Sequence, residues 1–198
     1  MAMVTLPAVN TVDEPMTPVG ERLVQTASRL FYDRGIRAVG VDLIAADAGT
    51  TKKTLYDRFG SKDALVVLYL RRRAERWQTR VLEHLAQHRP EPGPERVLAV
   101  FDALDEWLDE QWRGCAFVNA HAEIGGTGHP AQPVVHAEKT WMRRLLTALL
   151  QEAGYDDADR LGAQLHVLYE GALVLVTAGN DDDALPRARE AAARLLAR

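Results

Sequence analysis

Residues 41–59 read VDLIAADAGTTKKTLYDRF, and this stretch decides the fold. Val41, Ile44, Ala45 and Ala48 recur at i, i+3, i+4 and i+7, the spacing of one apolar helix face. Gly49 stops that run, and two residues later Thr51 is placed to cap another helix. Leu55 and Phe59 give the second helix a narrow inner face. Two helices crossing steeply need small side chains where they meet, and Ala45, Ala48 and Gly49 supply them. Gly49 can also adopt the left-handed backbone that reverses the chain without a Cβ clash. Helix, tight glycine turn and a two-turn helix together predict a helix-turn-helix. Lys52, Lys53 and Tyr56 then face outward. Both lysines lie in the first turn, where the helix dipole disfavours cations. Such a break of a local rule is expected at a functional surface, here one suited to phosphate and base edges.

Working outward, Thr17-Pro18 reads as N-cap and first position of a helix that Gly35 ends. Its inner face is Leu23, Ala27, Leu30 and Phe31. Downstream, Gly60 closes the third helix and Ser61 caps a long fourth, reaching about His88 before the proline-rich 89–94 stretch breaks it. Further helices are predicted over about 95–112, 116–123, 131–153, 158–178 and 184–197. The expectation is an all-α chain of nine helices. It comprises an arm at 1–16, read as mobile, a DNA-binding domain at 17–62 and a regulatory and dimerisation domain at 63–198.

Composition bounds the class of protein. Apolar residues make up 47% and charged residues 26%, which suits a globular core. No apolar run approaches membrane-spanning length, and the start lacks the basic flank of a signal peptide, so a cytoplasmic location without membrane partner is expected. The net charge of -4 hides a split. Residues 17–76 carry 12 basic and 7 acidic side chains, whereas residues 77–198 carry 12 basic and 19 acidic. A basic front and an acidic back is the asymmetry expected when only one end meets a polyanion, although a basic face can equally be a solvated one. The run Arg71-Arg72-Arg73, with Arg76, points in several directions on a helix and reads as a solvated face. Cys115 is the single cysteine, so no internal disulfide forms. His84 and His88 stand four apart without a third ligand, and they too read as solvated; no metal or cofactor is expected. Nucleophile elbow, P-loop, dinucleotide and zinc-protease motifs are absent from the sequence, which ranks a helical enzyme low.

Residues 22–65 resemble the tetracycline-repressor (TetR) family. The resemblance is carried by Leu30-Phe31, Gly35, Ile44-Ala45, Ala48-Gly49, Thr54-Leu55-Tyr56, Phe59 and Ser61-Lys62-Asp63-Ala64-Leu65. It implies an all-helical homodimer acting on a palindromic double-stranded DNA operator, most often a repressor released by a small ligand. Position by position, it implies that Lys52, Lys53 and Tyr56 lie in or beside the major groove and that Thr51 caps the third helix and touches phosphate. Lys62 would hold the DNA backbone, with Thr17 and Arg22 as weaker phosphate contacts. Val39-Gly40 stands where the family commonly has a Thr or Ser cap. Lys53 replaces a residue that is often small, and Gly60 a frequent proline.

In the remaining half, Arg113 to Asn119 resembles the start of the sixth helix in one branch of that family, an element that often lines the ligand cavity. Amphipathic side chains near it and beyond nominate an effector pocket: Trp107, Trp112, Phe117, Asn119, His121, Glu123, Trp141, His166 and Tyr169. The same aromatics could simply fill a core. Leu161, Leu165, Leu168, Ala172 and Leu175 form a helical stripe, joined by Leu185, Ala188, Ala192 and Leu195 of the last helix. Two copies of that helix pair would make a four-helix dimer interface. Control by a protein partner or by oxidation of Cys115, without a small ligand, stays open.

Overall fold

Proline at the first turn and a threonine cap open the first helix of the computed structural model, which describes residues 5–9, 16–108 and 113–197. The Gly20 N–H donates to Thr17 Oγ1 at 3.3 Å, so α1 spans Pro18–Arg34 as its caps dictate. Next come α2 (Val41–Asp47), α3 (Lys52–Phe59) and α4 (Lys62–His88), followed by α5 (Pro94–Leu108) and α6 (Ala116–Ile124). The chain closes with α7 (Gln132–Glu152), α8 (Ala158–Thr177) and α9 (Ala184–Leu196). Nine helices and no strand occur among the described residues, the all-α architecture read from periodicity. None of these helices is long and apolar enough to cross a membrane.

The described residues form two compact units. One gathers residues 16–76 with 116–138, so α6 and the loop after it belong with α1–α3 rather than with the later helices. Leu23, Leu30, Val39, Ile44, Leu55, Leu65 and Leu70 are fully buried in it. Polar clamps complete the packing. Arg72 donates to both Glu21 oxygens at 2.7 and 2.9 Å, and this guanidinium holds the Glu21 carboxyl below its usual range. Arg73 is only 5% exposed, with its guanidinium 4.5 Å from the Tyr32 ring centroid. The basic run is therefore solvated at Arg71 and Arg76 alone; the other two arginines bury their stems against α1.

The second unit contains residues 5–9, 77–108, 113–115 and 139–197. Its core draws on α4, α5, α7, α8 and α9, with Val81, Leu85, Phe101, Leu104, Leu145, Leu146 and Leu165 all at or near zero exposure. His84, read as solvated, is buried here with Nδ1 3.3 Å from Glu106 Oε2. Residues 5–9, part of the stretch read as an arm, lie against this unit. Leu6 packs on the core, and the Trp141 indole N–H donates to the Ala8 carbonyl at 2.9 Å. An indole N–H needs such a partner once buried, and the chain start supplies it.

Candidate functional site

Gly49 has φ +63°, the left-handed turn required between α2 and α3. A Cβ there would meet nothing, so backbone conformation rather than space selects glycine. α2 starts at Gly40 without a side-chain cap, as the missing Ser or Thr implies. α3 is better founded: Thr51 Oγ1 accepts from the Thr54 N–H at 3.1 Å. Leu55 is its one buried side chain. Opposite Leu55, at about 3.6 residues per turn, the outward face is centred between Lys53 and Asp57, with Tyr56 and Lys52 on one flank. Tyr56 is 42% exposed although it is large and aromatic.

The outward lysines are tethered rather than loose. The Lys52 ammonium donates to Asp42 Oδ2 at 3.1 Å, and the Lys53 ammonium to Asp57 Oδ2 at 2.6 Å. Neither acid was singled out by sequence reasoning, though Asp57, four residues after Lys53, was open to the same helical-face argument. Thr17 and Arg22 are exposed at the start of α1. Lys62 is placed differently from a simple backbone clamp. Its Nζ lies 6.0 Å from the Phe31 ring centroid, and burial draws the ammonium below its usual range against the opposing pull of Asp63 and Glu123.

Glu123, nominated for an effector pocket, faces the α1–α2 connection instead. Its carboxylate accepts from the Ile36 N–H at 2.9 Å and the Arg37 N–H at 2.6 Å. Gly35 makes room: it has φ +92°, and a Cβ there would sit 2.9 Å from Glu123 Oε1. No sequence signal connects positions 87 residues apart, so only the fold brings this clamp to light. In the same unit Phe117 is buried and His121 is exposed. Asn119 borders a small cavity with Tyr32, Ile36, Tyr69 and Glu123, with room for about one water.

The other nominated pocket residues belong to the second unit, except Trp112, which lies outside the described residues. Trp107 packs at 5.5 Å on Trp77, Tyr169 sits edge-on to Phe101 at 6.2 Å, and Trp141 bonds Ala8. His166 joins a polar cluster inside this apolar unit. Its Nε2 is 3.2 Å from Glu170 Oε1, and Lys139 Nζ donates to both Glu170 oxygens at 2.9 and 2.7 Å and to Cys115 Sγ at 3.4 Å. Burial pushes the Glu170 carboxyl up, but bonds from His166 and Lys139 outweigh it and hold the group below its usual range. Burial likewise draws Lys139 down, and its neighbours Cys115 and Glu170 reverse that and raise it. The neighbour that α7 brings to Cys115 is thus a cation, the Lys139 ammonium.

Of the expected interface residues, Leu161, Leu165, Ala172, Leu185, Ala188 and Ala192 are buried within the chain's own core, and Leu168 is half-buried. Leu175 and Leu195 are exposed at 49% and 40%. The free apolar face of α8 lies beside the stripe and shares Leu175 with it, adding Val167 and Val174, with Gly171 among them. An all-round apolar helix misleads a stripe reading, because either side fits the same period.

Two family models match this chain. The first, "Bacterial regulatory proteins, tetR family", matches residues 23–68, and the second, "Tetracyclin repressor-like, C-terminal domain", matches residues 93–192, half of the chain. A crystal structure of a TetR-family transcriptional regulator from Streptomyces coelicolor is 32% identical, covers 90% of this chain and 94% of its own, and superposes with a TM-score of 0.81. An uncharacterized HTH-type transcriptional regulator of Mycobacterium tuberculosis is 27% identical over 158 residues, 70% of this chain and 78% of its own length. YxaF of Bacillus subtilis, described in the same words, is 25% identical over 170 residues, 81% of this chain and 86% of its own.

Proposed function

The chain belongs to the TetR family of transcriptional regulators, and from that premise we propose that it is a homodimeric repressor released from a palindromic operator by a small molecule. The observation carrying this reading is the outward face of α3, where Lys52, Lys53 and Tyr56 stand exposed on a helix anchored by Leu55. Cations beside the free N–H groups of a helix start suit a phosphate-lined groove. Residues 17–62 serve as the DNA-binding domain in this reading, and the remainder as the regulatory one. The exposed face of α8 and α9 pairs two copies. Of the six large apolar side chains exposed among the described residues, Val167, Val174, Leu175 and Leu195 lie there. A two-fold axis then sets both recognition helices about 34–36 Å apart, one DNA turn.

An effector acts by binding better to a dimer whose helices are wrongly spaced. What supports such a ligand in the regulatory unit is a part-buried polar cluster, Lys139, His166 and Glu170, set among apolar side chains and able to orient a hydrogen-bonding group. No catalytic role is assigned to it. Electrophoretic mobility shifts test the core of the proposal. Tyr56→Ala or Lys52→Ala weakens binding to a selected operator about tenfold with the fold intact; unchanged binding in both would remove α3 from the interface. A second reading, control through Cys115, has the Lys139 contact in its favour. Its signature is operator release by peroxide in the native chain and not in Cys115→Ser.

A further inference from the structure

The acid at the centre of the outward face of α3 is unexplained by stability. The Lys53–Asp57 pair is exposed, at 82% and 58% for the two side chains, and exposed pairs contribute little. Its orientation is also the weaker one. On a helix the acid is best placed N-terminal to its lysine; here the cation sits in the first turn and the acid near the end, both against the dipole. Nor is Asp57 a convenient neighbour for a polyanion, since a carboxylate facing DNA repels phosphate. A residue that adds little to helix stability and opposes non-specific attraction, at the centre of the contact face, calls for a partner that rewards it.

Base chemistry names that partner. A lysine ammonium finds acceptors at guanine O6 and N7, and a carboxylate finds a donor at the cytosine N4 amino group. These groups lie side by side on the major-groove edge of a single G·C pair. The Lys53 ammonium and Asp57 carboxylate are already held 2.6 Å apart, one donor head beside one acceptor. The Lys53 bond occupies one of roughly four acceptor positions on the carboxylate, so capacity remains for cytosine. We propose that Lys53 and Asp57 act together as a reader of one G·C pair in each half-site, Asp57 being the residue that sets specificity there. The proposal rests on the reading of α3 as the recognition helix.

The test is selection of binding sites from random duplexes by the full-length native chain, D57A, D57N and K53A. The native chain is expected to fix a G·C pair at one position of each half-site by about tenfold or more. D57A loses that preference there and keeps the others. D57N shifts it toward A·T, because an amide can serve adenine N6 and N7 together. K53A weakens binding and blurs the same position. The proposal is overturned if D57A keeps the native preference, or if it binds every duplex more tightly by one common factor, which would make Asp57 a mere repelling charge. Failure of the native chain to select any duplex overturns the recognition-helix reading itself, and this proposal with it. Asp57 is exposed, so circular dichroism and melting of D57A should match the native chain and separate misfolding from lost readout.

Discussion

Two surfaces of this protein stand open, and they are opposite in chemistry. The outward face of α3 carries Lys52, Lys53, Tyr56 and Asp57, charged groups tethered to one another. The exposed apolar set is Val167, Val174 and Leu175 of α8 with Leu195 of α9, an α9 whose other outward positions bear Arg187, Glu190 and Arg194. The first suits a partner dense in phosphate and polar base edges, whose grip weakens with salt. The second suits a partner with the same apolar face, whose grip depends on concentration and hardly on salt. Both units join an apolar core to polar clamps: Glu21–Arg72 and Glu123 on the Ile36 and Arg37 amides brace the α1–α3 unit, and His84–Glu106, Arg189–Asp102 and the Lys139–Glu170 cluster brace the other.

The contrast can be broken experimentally. The largest effect is expected from Leu175→Arg: a charge on the apolar face yields monomers by sedimentation and lowers operator affinity about 100-fold or more, because two linked half-sites bind far better than one. A dimer surviving this change would move the interface elsewhere. Next, Glu123→Ala strips the acceptor from two backbone amides and should cost about 1.5–3 kcal/mol in urea unfolding. Lys52→Ala should reduce the slope of log affinity against log salt by about one, leaving the dimer untouched. The smallest change concerns acid. Glu170 is held below its ordinary value near 4.5, so its stabilising contribution is full above that pH and is lost as pH falls through the lower, folded-state value. Glu170→Gln should therefore flatten the acid limb of the melting profile, lowering the melting temperature near neutrality and converging with the native chain in acid.

The helix-turn-helix was legible because its constraints are local. Gly49, Thr51 and Leu55 each do their work within a few residues, and period and caps report them directly. The helices of the second half were legible for the same reason. Their faces were not. Almost every side of α8 is apolar, so Leu165 and Ala172 matched an interface pattern while filling the core. The pocket nominations failed to separate for a related reason: Glu123 and Trp141 found partners 87 and 133 residues away, at Ile36 and Ala8, and a polar residue chosen by chain proximity carries no record of such distances. Asp57 is not legible from the cationic pattern of α3, because an acid there runs against it.

The Gly35–Glu123 contact has a consequence for how this sequence can drift. Any side chain at position 35 would meet a backbone of φ +92° and push the carboxylate off the two amides it caps. Shortening Glu123 first opens the space yet leaves those amides bare. The two sites are thus epistatic: each change is harmful alone, and the order of mutation decides which intermediates survive.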